Sequence, residues 1–281
     1  MKVSIIGATG YAGAELLRLL YEHPQADVVH ITSESHTGEE ISSIYPHLRG
    51  IYDEELESMK DIERIGRDSD FVFIGLPHGH AMAAGKVLEA EKTRIIDLGA
   101  DYRFADASVY EAWYKVKHTH KDAERVYGLA ELNREAIRGA KIIGNAGCYT
   151  TASILALAPL AKSRLVDMTS IVVDAKSGVS GAGRSAKQAN LLPELYDSFK
   201  AYGVATHRHT PEIEQAMTEL SGEPCILSFT PHLVPMARGI LATCYARLKE
   251  GIEPEMVDAV YETMYGEEYF VRLLGRGGSP A

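Results

Sequence analysis

Cys148 stands in the run Gly144-Asn145-Ala146-Gly147-Cys148-Tyr149-Thr150-Thr151-Ala152, where the apolar pair Ile142-Ile143 breaks at glycine and a helix-forming stretch follows. A cysteine at a helix start feels the partial positive charge of unsatisfied N–H groups. That field lowers a thiol pKa from about 8.5 into the range of roughly 3.5 to 7.5, and the same N–H groups suit an oxyanion formed when the sulfur attacks a carbonyl. The competing reading is a small buried hydrophobe, which is what most free cysteines are; Cys225 and Cys244, inside apolar strand-like runs, read that way. At the other end of the chain Gly7-Ala8-Thr9-Gly10-Tyr11-Ala12-Gly13 forms GxxGxxG, a variant of the dinucleotide fingerprint. On its own the spacing is no more than a glycine-rich turn. Here it follows a buried-strand pattern and opens an amphipathic helix, the context in which glycines let a backbone approach a pyrophosphate at a helix N-terminus. A nucleophilic cysteine together with a nicotinamide points to aldehyde or acyl-phosphate chemistry.

A cysteine nucleophile calls for a histidine, and His207-Arg208-His209-Thr210-Pro211-Glu212-Ile213-Glu214 offers two. Thr210 and Pro211 read as an N-cap and first helical residue, so His209 precedes a helix start with Glu212 a turn away and able to orient it. His78, His80 and His232 compete for the role, and no HxH pair has a cysteine or carboxylate set that makes a zinc site, so no metal is expected. Arg103, after a strand at the ligand-bearing edge, could clamp a carboxylate or phosphate bidentately. Arg184 closes the loop Ser177-Gly178-Val179-Ser180-Gly181-Ala182-Gly183, which could likewise wrap an anion. For both, the alternative is a solvated surface arginine. About twenty residues past the fingerprint comes Ile31-Thr32-Ser33-Glu34-Ser35-His36, where an acid would hold a ribose 2′-OH. Glu34 favours NAD, whereas Thr32, Ser33, Ser35 and His36 suit a 2′-phosphate; the balance tilts to NADP.

The elements that must position these residues follow from periodicity. Val3 to Ile6 reads as a buried strand, Gly7 to Gly13 as a turn, and Ala14 to His23 as a helix with Leu16, Leu17, Leu19 and Leu20 inward. Further strands are expected at Val28 to Thr32, Phe71 to Gly75 and Arg94 to Asp97. Strands alternating with helical stretches imply an α/β, Rossmann-type doubly wound parallel sheet. After Cys148 the pattern changes to strands at Ser170 to Ala175, Cys225 to Thr230 and Gly239 to Leu248, with a loop from Lys176 to Arg184. This predicts a second, α+β domain, a boundary between 147 and 148, and Cys148 near the junction, where cofactor and substrate would meet. The 281 residues with 46% apolar content suffice for two such domains, and the net charge of −10 argues against a nucleic-acid surface. Three widely spaced cysteines form no disulfide set, and the apolar runs are too short for a signal peptide or membrane span, so a cytoplasmic protein is expected.

Five segments together resemble the N-acetyl-gamma-glutamyl-phosphate reductases of arginine biosynthesis, relatives of aspartate-semialdehyde dehydrogenase: 7–13, 76–81, 144–152, 174–184, and 207–215 with 228–240. The resemblance implies NADPH-dependent reduction of N-acetyl-L-glutamyl 5-phosphate to the semialdehyde through a thioester on Cys148, with His209 as acid/base and His207 its close competitor. It implies pyrophosphate on the fingerprint residues Gly7, Thr9, Gly10, Tyr11, Ala12 and Gly13, the adenosine end on Ser33 and Ser35, and substrate on Arg103, Arg184, His207 and Glu212. It also implies that the α+β domain is a substrate and dimerisation domain with a mixed sheet, and that the protein is a homodimer or homotetramer. The runner-up is a semialdehyde dehydrogenase acting on another acyl phosphate; a noncatalytic dinucleotide-binding protein is the alternative from another class. Two departures stand out. The family usually has proline where this chain has Ala146, and often where it has Thr150. Family members also run on past the region of Phe270 to Leu274, whereas this chain finishes Gly275-Arg276-Gly277-Gly278-Ser279-Pro280-Ala281, from which the expectation is an incomplete second sheet, reduced stability and poor turnover.

Overall fold

Val3, Ile5 and Ile6 stand with Ser4 in a run free of turn residues, so the chain from Lys2 to Ile6 extends as a strand, β1, buried on both faces. Such a strand needs cover on both sides, which a parallel sheet with crossover helices supplies. The computed structural model describes residues 1–91 and 93–280; Lys92 and Ala281, the last residue of the tail considered above, lie outside them. In it β1 lies between β2 (Asp27–Thr32) and β3 (Phe71–Ile74), and the sheet continues through β4 (Arg94–Asp97), β6 (Ile142–Asn145) and β5 (Arg125–Gly128). Every pairing is parallel, in the order β2-β1-β3-β4-β6-β5. The chain leaves β1 to one side and returns on the other, so the carboxyl ends of β1 and β3 form the topological switch point where doubly wound sheets take their ligands.

One face of this sheet buries Ile6, Val72, Ile74, Ile95 and Ile142 with Ala84 and Leu88 of the helix Ala81–Ala90. The other buries Ile5 and Ile31 with Leu17 of the helix Tyr11–Tyr21. That first helix begins three residues before the expected Ala14. Gly10 (φ −76°, ψ 164°) already serves as its N-cap, and Gly13 lies inside the first turn because a Cβ there would stand 2.5 Å from Ala8 backbone atoms. Its inward stripe is narrower than expected: Leu17 is fully buried, Leu16 and Leu20 partly, and Leu19 is 51% exposed.

The chain separates into two compact units, Met1–Gly147 with Gly183–Ser185, and Cys148–Ala182 with the chain from Ala186 on. The second holds a four-stranded mixed sheet in the order β10-β7-β9-β8, built from β7 (Val172–Gly178), β8 (Lys200–Ala201), β9 (Ser228–Val234) and β10 (Ile240–Tyr245). β7 and β9 run parallel and the outer pairings are antiparallel. Strand β7 reaches further than expected: Lys176, Ser177 and Gly178, assigned to a loop on their glycine and lysine content, are held in the ladder by neighbours on both sides. Cys225 lies outside β9, in the connection before it, where its N–H donates to Thr218 Oγ1. The helix Cys148–Lys162 packs on β10 and on the helix Thr210–Ser221. No helix among the described residues is long and apolar enough to cross a membrane.

Candidate active site

In the first unit the switch point opens into a cavity of ≈ 610 Å³ lined by Gly7, Thr9 and Gly10, by Ser33, Glu34, Ser35 and His36, by Gly75 to Pro77, and by Arg184 and Ser185. That volume is within the ordinary range for a small-molecule or cofactor site. Gly7 (φ +81°) turns the chain there, and a Cβ on it would stand 2.6 Å from the Gly75 carbonyl oxygen, so this crossing of two strand ends admits only glycine. Gly10 brings no side chain to the helix N-terminus, which leaves that end of the dipole to a ligand. Tyr11 and Ala12 form the exposed first turn, with Gly13 packed beneath it. A hydroxyl row runs along the β2 side: Thr9 Oγ1 lies 3.0 Å from Ser33 Oγ, which lies 3.4 Å from Ser35 Oγ. Glu34 turns aside, its Oε1 accepting from the Met59 N–H at 2.6 Å and the Ser58 hydroxyl at 3.2 Å. Glycine crossing, open helix terminus and hydroxyl row fit a dinucleotide. Arg184, read from the sequence as a substrate contact, stands at this cavity, its guanidinium 5.2 Å over the Tyr45 ring and 3.4 Å from the Thr9 carbonyl oxygen.

Arg103 belongs to the same unit but does not line that cavity. It is 8% exposed; its Nε donates to the Asn145 carbonyl at 2.7 Å and a terminal nitrogen to the Leu98 carbonyl at 3.0 Å, tying the carboxyl ends of β6 and β4 together. Next to it Asp97 ends β4, fully buried, with one oxygen accepting from the Gly99 N–H and the other without a partner. Burial, reinforced by the negative charge of Asp101, pushes the Asp97 carboxyl up to about 7, against the pull of the Gly99 N–H and the Arg103 guanidinium.

In the second unit Cys148 is the first residue of its helix and is exposed, as the nucleophile reading requires. Tyr149 beside it is buried, with its ring 5.7 Å from that of His207, 6.0 Å from that of His209 and 5.4 Å from that of Phe229. Its hydroxyl donates to the His232 carbonyl and accepts from Tyr202, each at 3.1 Å. The two histidine rings stand 4.8 Å apart. His207 Nδ1 accepts from the His209 backbone N–H at 3.2 Å, which places the proton of neutral His207 on Nε2. Burial pushes the His207 pKa down to about 4, helped by Arg208 and opposed by Glu212, so His207 is neutral at ordinary pH. His209 itself is the N-cap of the helix Thr210–Ser221, one residue earlier than the expected Thr210, with Pro211 in the first turn. Glu212 is fully buried and accepts from the Thr150 hydroxyl at 2.9 Å, linking the first turns of the two helices. His232 sits in β9 with Nδ1 3.2 Å from Asp174; His78 and His80 belong to the first unit, the former against Tyr114 and the latter capping the helix Ala81–Ala90.

The sequence alone assigns no role to Tyr149, Tyr202 or Tyr45, and marks Thr150 only as a departure from proline. Tyr149 and Thr150 sit inside the cysteine motif and were open to view. Tyr202 and Tyr45 carry no local signal, because what matters about them is a contact with a residue far along the chain.

Residues 2–140 match the family described as semialdehyde dehydrogenase, NAD binding domain, and residues 148–281 match the semialdehyde dehydrogenase dimerisation domain. The chain is 50% identical to the N-acetyl-gamma-glutamyl-phosphate reductase of Pelotomaculum thermopropionicum, over 100% of this chain and 81% of the relative. It is 48% identical to the enzyme of the same name from Desulforamulus reducens, with the same coverage. Among solved structures it resembles aspartate semialdehyde dehydrogenase II of Vibrio cholerae, with TM-score 0.69 and 19% identity over 94% of this chain and 79% of that one. It also resembles the aspartate semialdehyde dehydrogenase of Candida albicans, solved with NADP, with TM-score 0.63 and 17% identity over 92% and 75%. At these identities the structural likeness speaks for the fold.

Proposed function

This chain belongs to the N-acetyl-gamma-glutamyl-phosphate reductase family, and on that premise we propose how its residues reduce N-acetyl-L-glutamyl 5-phosphate to N-acetyl-L-glutamate 5-semialdehyde and phosphate. The Cys148 thiolate bonds to the acyl carbon, the bond from that carbon to the phosphate oxygen breaks, and phosphate leaves a thioester behind. The fingerprint and the hydroxyl row would hold NADPH, which when bound would supply the hydride that the thioester carbon accepts. The resulting alkoxide re-forms its carbonyl as the carbon–sulfur bond breaks, which releases the aldehyde and returns the thiolate. The helix N-terminus under Cys148 favours both the thiolate and the alkoxide.

His209 is the acid/base that takes the thiol proton at the start and returns it at the end. His207 is a poor candidate, since it is held neutral with Nδ1 already occupied by a backbone N–H. His207 flanks the substrate instead, while Glu212, fully buried on the Thr150 hydroxyl, positions the first turn of the cysteine helix; Arg103, read from the sequence as a substrate cation, donates within the first unit to the Asn145 and Leu98 carbonyls. The nucleophile is the first residue of the second compact unit, and the cofactor cavity is lined by the first, Arg184 and Ser185 included. A second copy of the chain covers the outer face of the mixed sheet, where Val172, Leu241 and Tyr245 lie exposed on neighbouring strands, in keeping with the dimerisation-domain family that residues 148–281 match. A reducing, cytoplasmic setting suits a reaction that depends on a free thiolate.

The observation that carries this reading is an exposed cysteine at the first position of a helix, followed by a tyrosine that packs against a histidine pair, on a chain with a dinucleotide cavity. The test runs the reaction in reverse: N-acetylglutamate semialdehyde, phosphate and NADP, with NADPH absorbance followed for the chain and for Cys148→Ser. Turnover abolished by the substitution is expected. Equal rates for the two proteins would sink the thioester mechanism.

A further inference from the structure

We propose that Arg184 selects NADPH over NADH by gripping the 2′-phosphate of the adenosine ribose, an assignment that rests on the reductase reading and names the residue behind its cofactor preference. The arginine comes from the segment Gly183–Ser185, which packs with the first unit although the sequence on either side of it belongs to the second. One face of its guanidinium lies on Tyr45, and one terminal nitrogen reaches the Thr9 carbonyl, which also accepts from the Tyr45 hydroxyl at 3.0 Å. Ring and carbonyl fix the plane of the fork. A guanidinium has five N–H donors, and the Thr9 carbonyl engages a single terminal nitrogen of this one. The fork therefore keeps donors for a ligand in the cavity it lines.

The surroundings point to a phosphate monoester at this place. From Thr9 the hydroxyl row continues to Ser33 and Ser35 at the end of β2, where a doubly wound domain binds the adenosine ribose. Hydroxyl protons rotate, so all three can donate to one anion. Glu34, whose carboxylate would serve a ribose diol in an NAD site, is held on Met59 and Ser58. Its side chain still lines the cavity, and a chain of net charge −10 needs a cation there to hold an anion. A planar fork binds phosphate bidentately where lysine offers a point charge.

The test is calorimetric titration of the full chain, as wild type, Arg184→Met and Arg184→Lys, with NADPH, NADH and 2′,5′-ADP. Loss of a charge-assisted pair should weaken NADPH and 2′,5′-ADP by about ten- to hundredfold in Arg184→Met and less in Arg184→Lys, with NADH within about twofold. Unchanged NADH binding on the same sample shows that the cavity is folded. Equal weakening of NADPH and NADH would put the cation on the shared pyrophosphate and overturn the proposal, as would no weakening of either. A wild-type chain that prefers NADH overturns the NADPH reading itself, before any variant is compared. Glu34→Gln supplies an independent check: tighter NADPH is expected, and weaker NADPH contradicts the assignment.

Discussion

Replacing Thr150 with valine keeps the shape of the side chain and deletes one hydroxyl. That hydroxyl donates to Glu212 at 2.9 Å, and both residues are fully buried. A buried carboxylate oxygen that loses a donor has no water to turn to, and hydrogen bonds to charged groups contribute about 1.5–3 kcal/mol. Spread over a unit of this size, that loss lowers the melting temperature by roughly 4–10 °C. The link also joins the first turn of the cysteine helix to the first turn of the helix capped by His209. A displacement of about 1 Å between reacting groups costs up to roughly a hundredfold in rate, so kcat should fall by at least about tenfold while NADPH affinity holds. Thr150→Ser keeps the donor and should melt and turn over close to wild type. Differential scanning calorimetry with steady-state kinetics reads both effects. If Thr150→Val melts within about 1 °C of wild type and retains its kcat, this buried hydrogen bond does not organise the site.

The three thiols should separate cleanly in a timed labelling experiment with an aromatic disulfide near neutral pH. Cys148 is exposed, whereas burial pushes Cys225 up to about 12 and Cys244 up to about 11, so one fast equivalent is expected, absent in Cys148→Ser. Stability against pH should carry two opposed contributions. His207 has a folded pKa of about 4, below the unfolded value of about 6.5; the unfolded chain binds that proton first, so stability is lost as pH falls through this window, and His207→Asn should flatten the acid limb. Asp97 runs the other way: raised from 3.8 to about 7, it favours the folded state at low pH and loses that contribution as pH rises through 7. Asp97→Asn should therefore compare better with wild type at pH 8 than at pH 5 in urea melts, and an unchanged difference would rule out a buried protonated carboxyl.

What could be read from the sequence was what local sterics dictate. Gly7 and Gly13 announce the fingerprint because each crossing leaves no room for a Cβ, and a glycine-to-helix transition announces the position of Cys148. Register errors came where tertiary pairing overrode local composition. Lys176 to Gly178 look like loop residues and are strand residues, because neighbours on both sides hold them in the ladder. Cys225 looks like a strand residue and is not, its N–H being taken by a threonine of the preceding helix. β5 went unseen because Arg125-Val126-Tyr127-Gly128 has neither an apolar run nor alternation; at the sheet edge each residue is half-buried. At the candidate site, the motif order placed His209 at a helix start to within one residue. The cavity address of Arg184 was invisible, since nothing near it in sequence refers to Thr9 or Tyr45.

Arg184 and Thr9 are separated by 175 positions, yet they meet in one cavity. A ribosome making this chain finishes all six strands of the first sheet, and most of β7's surroundings remain unmade, before the arginine emerges. At roughly 5–20 residues per second, the glycine turn waits on the order of ten seconds or more for its distant guanidinium. During that interval the nascent sheet can fold, but its nucleotide cavity lacks one wall. The first unit is consequently not a portable cassette: a gene fusion that borrowed residues 1–147 alone would carry the glycines and hydroxyls to a new host and leave the arginine behind.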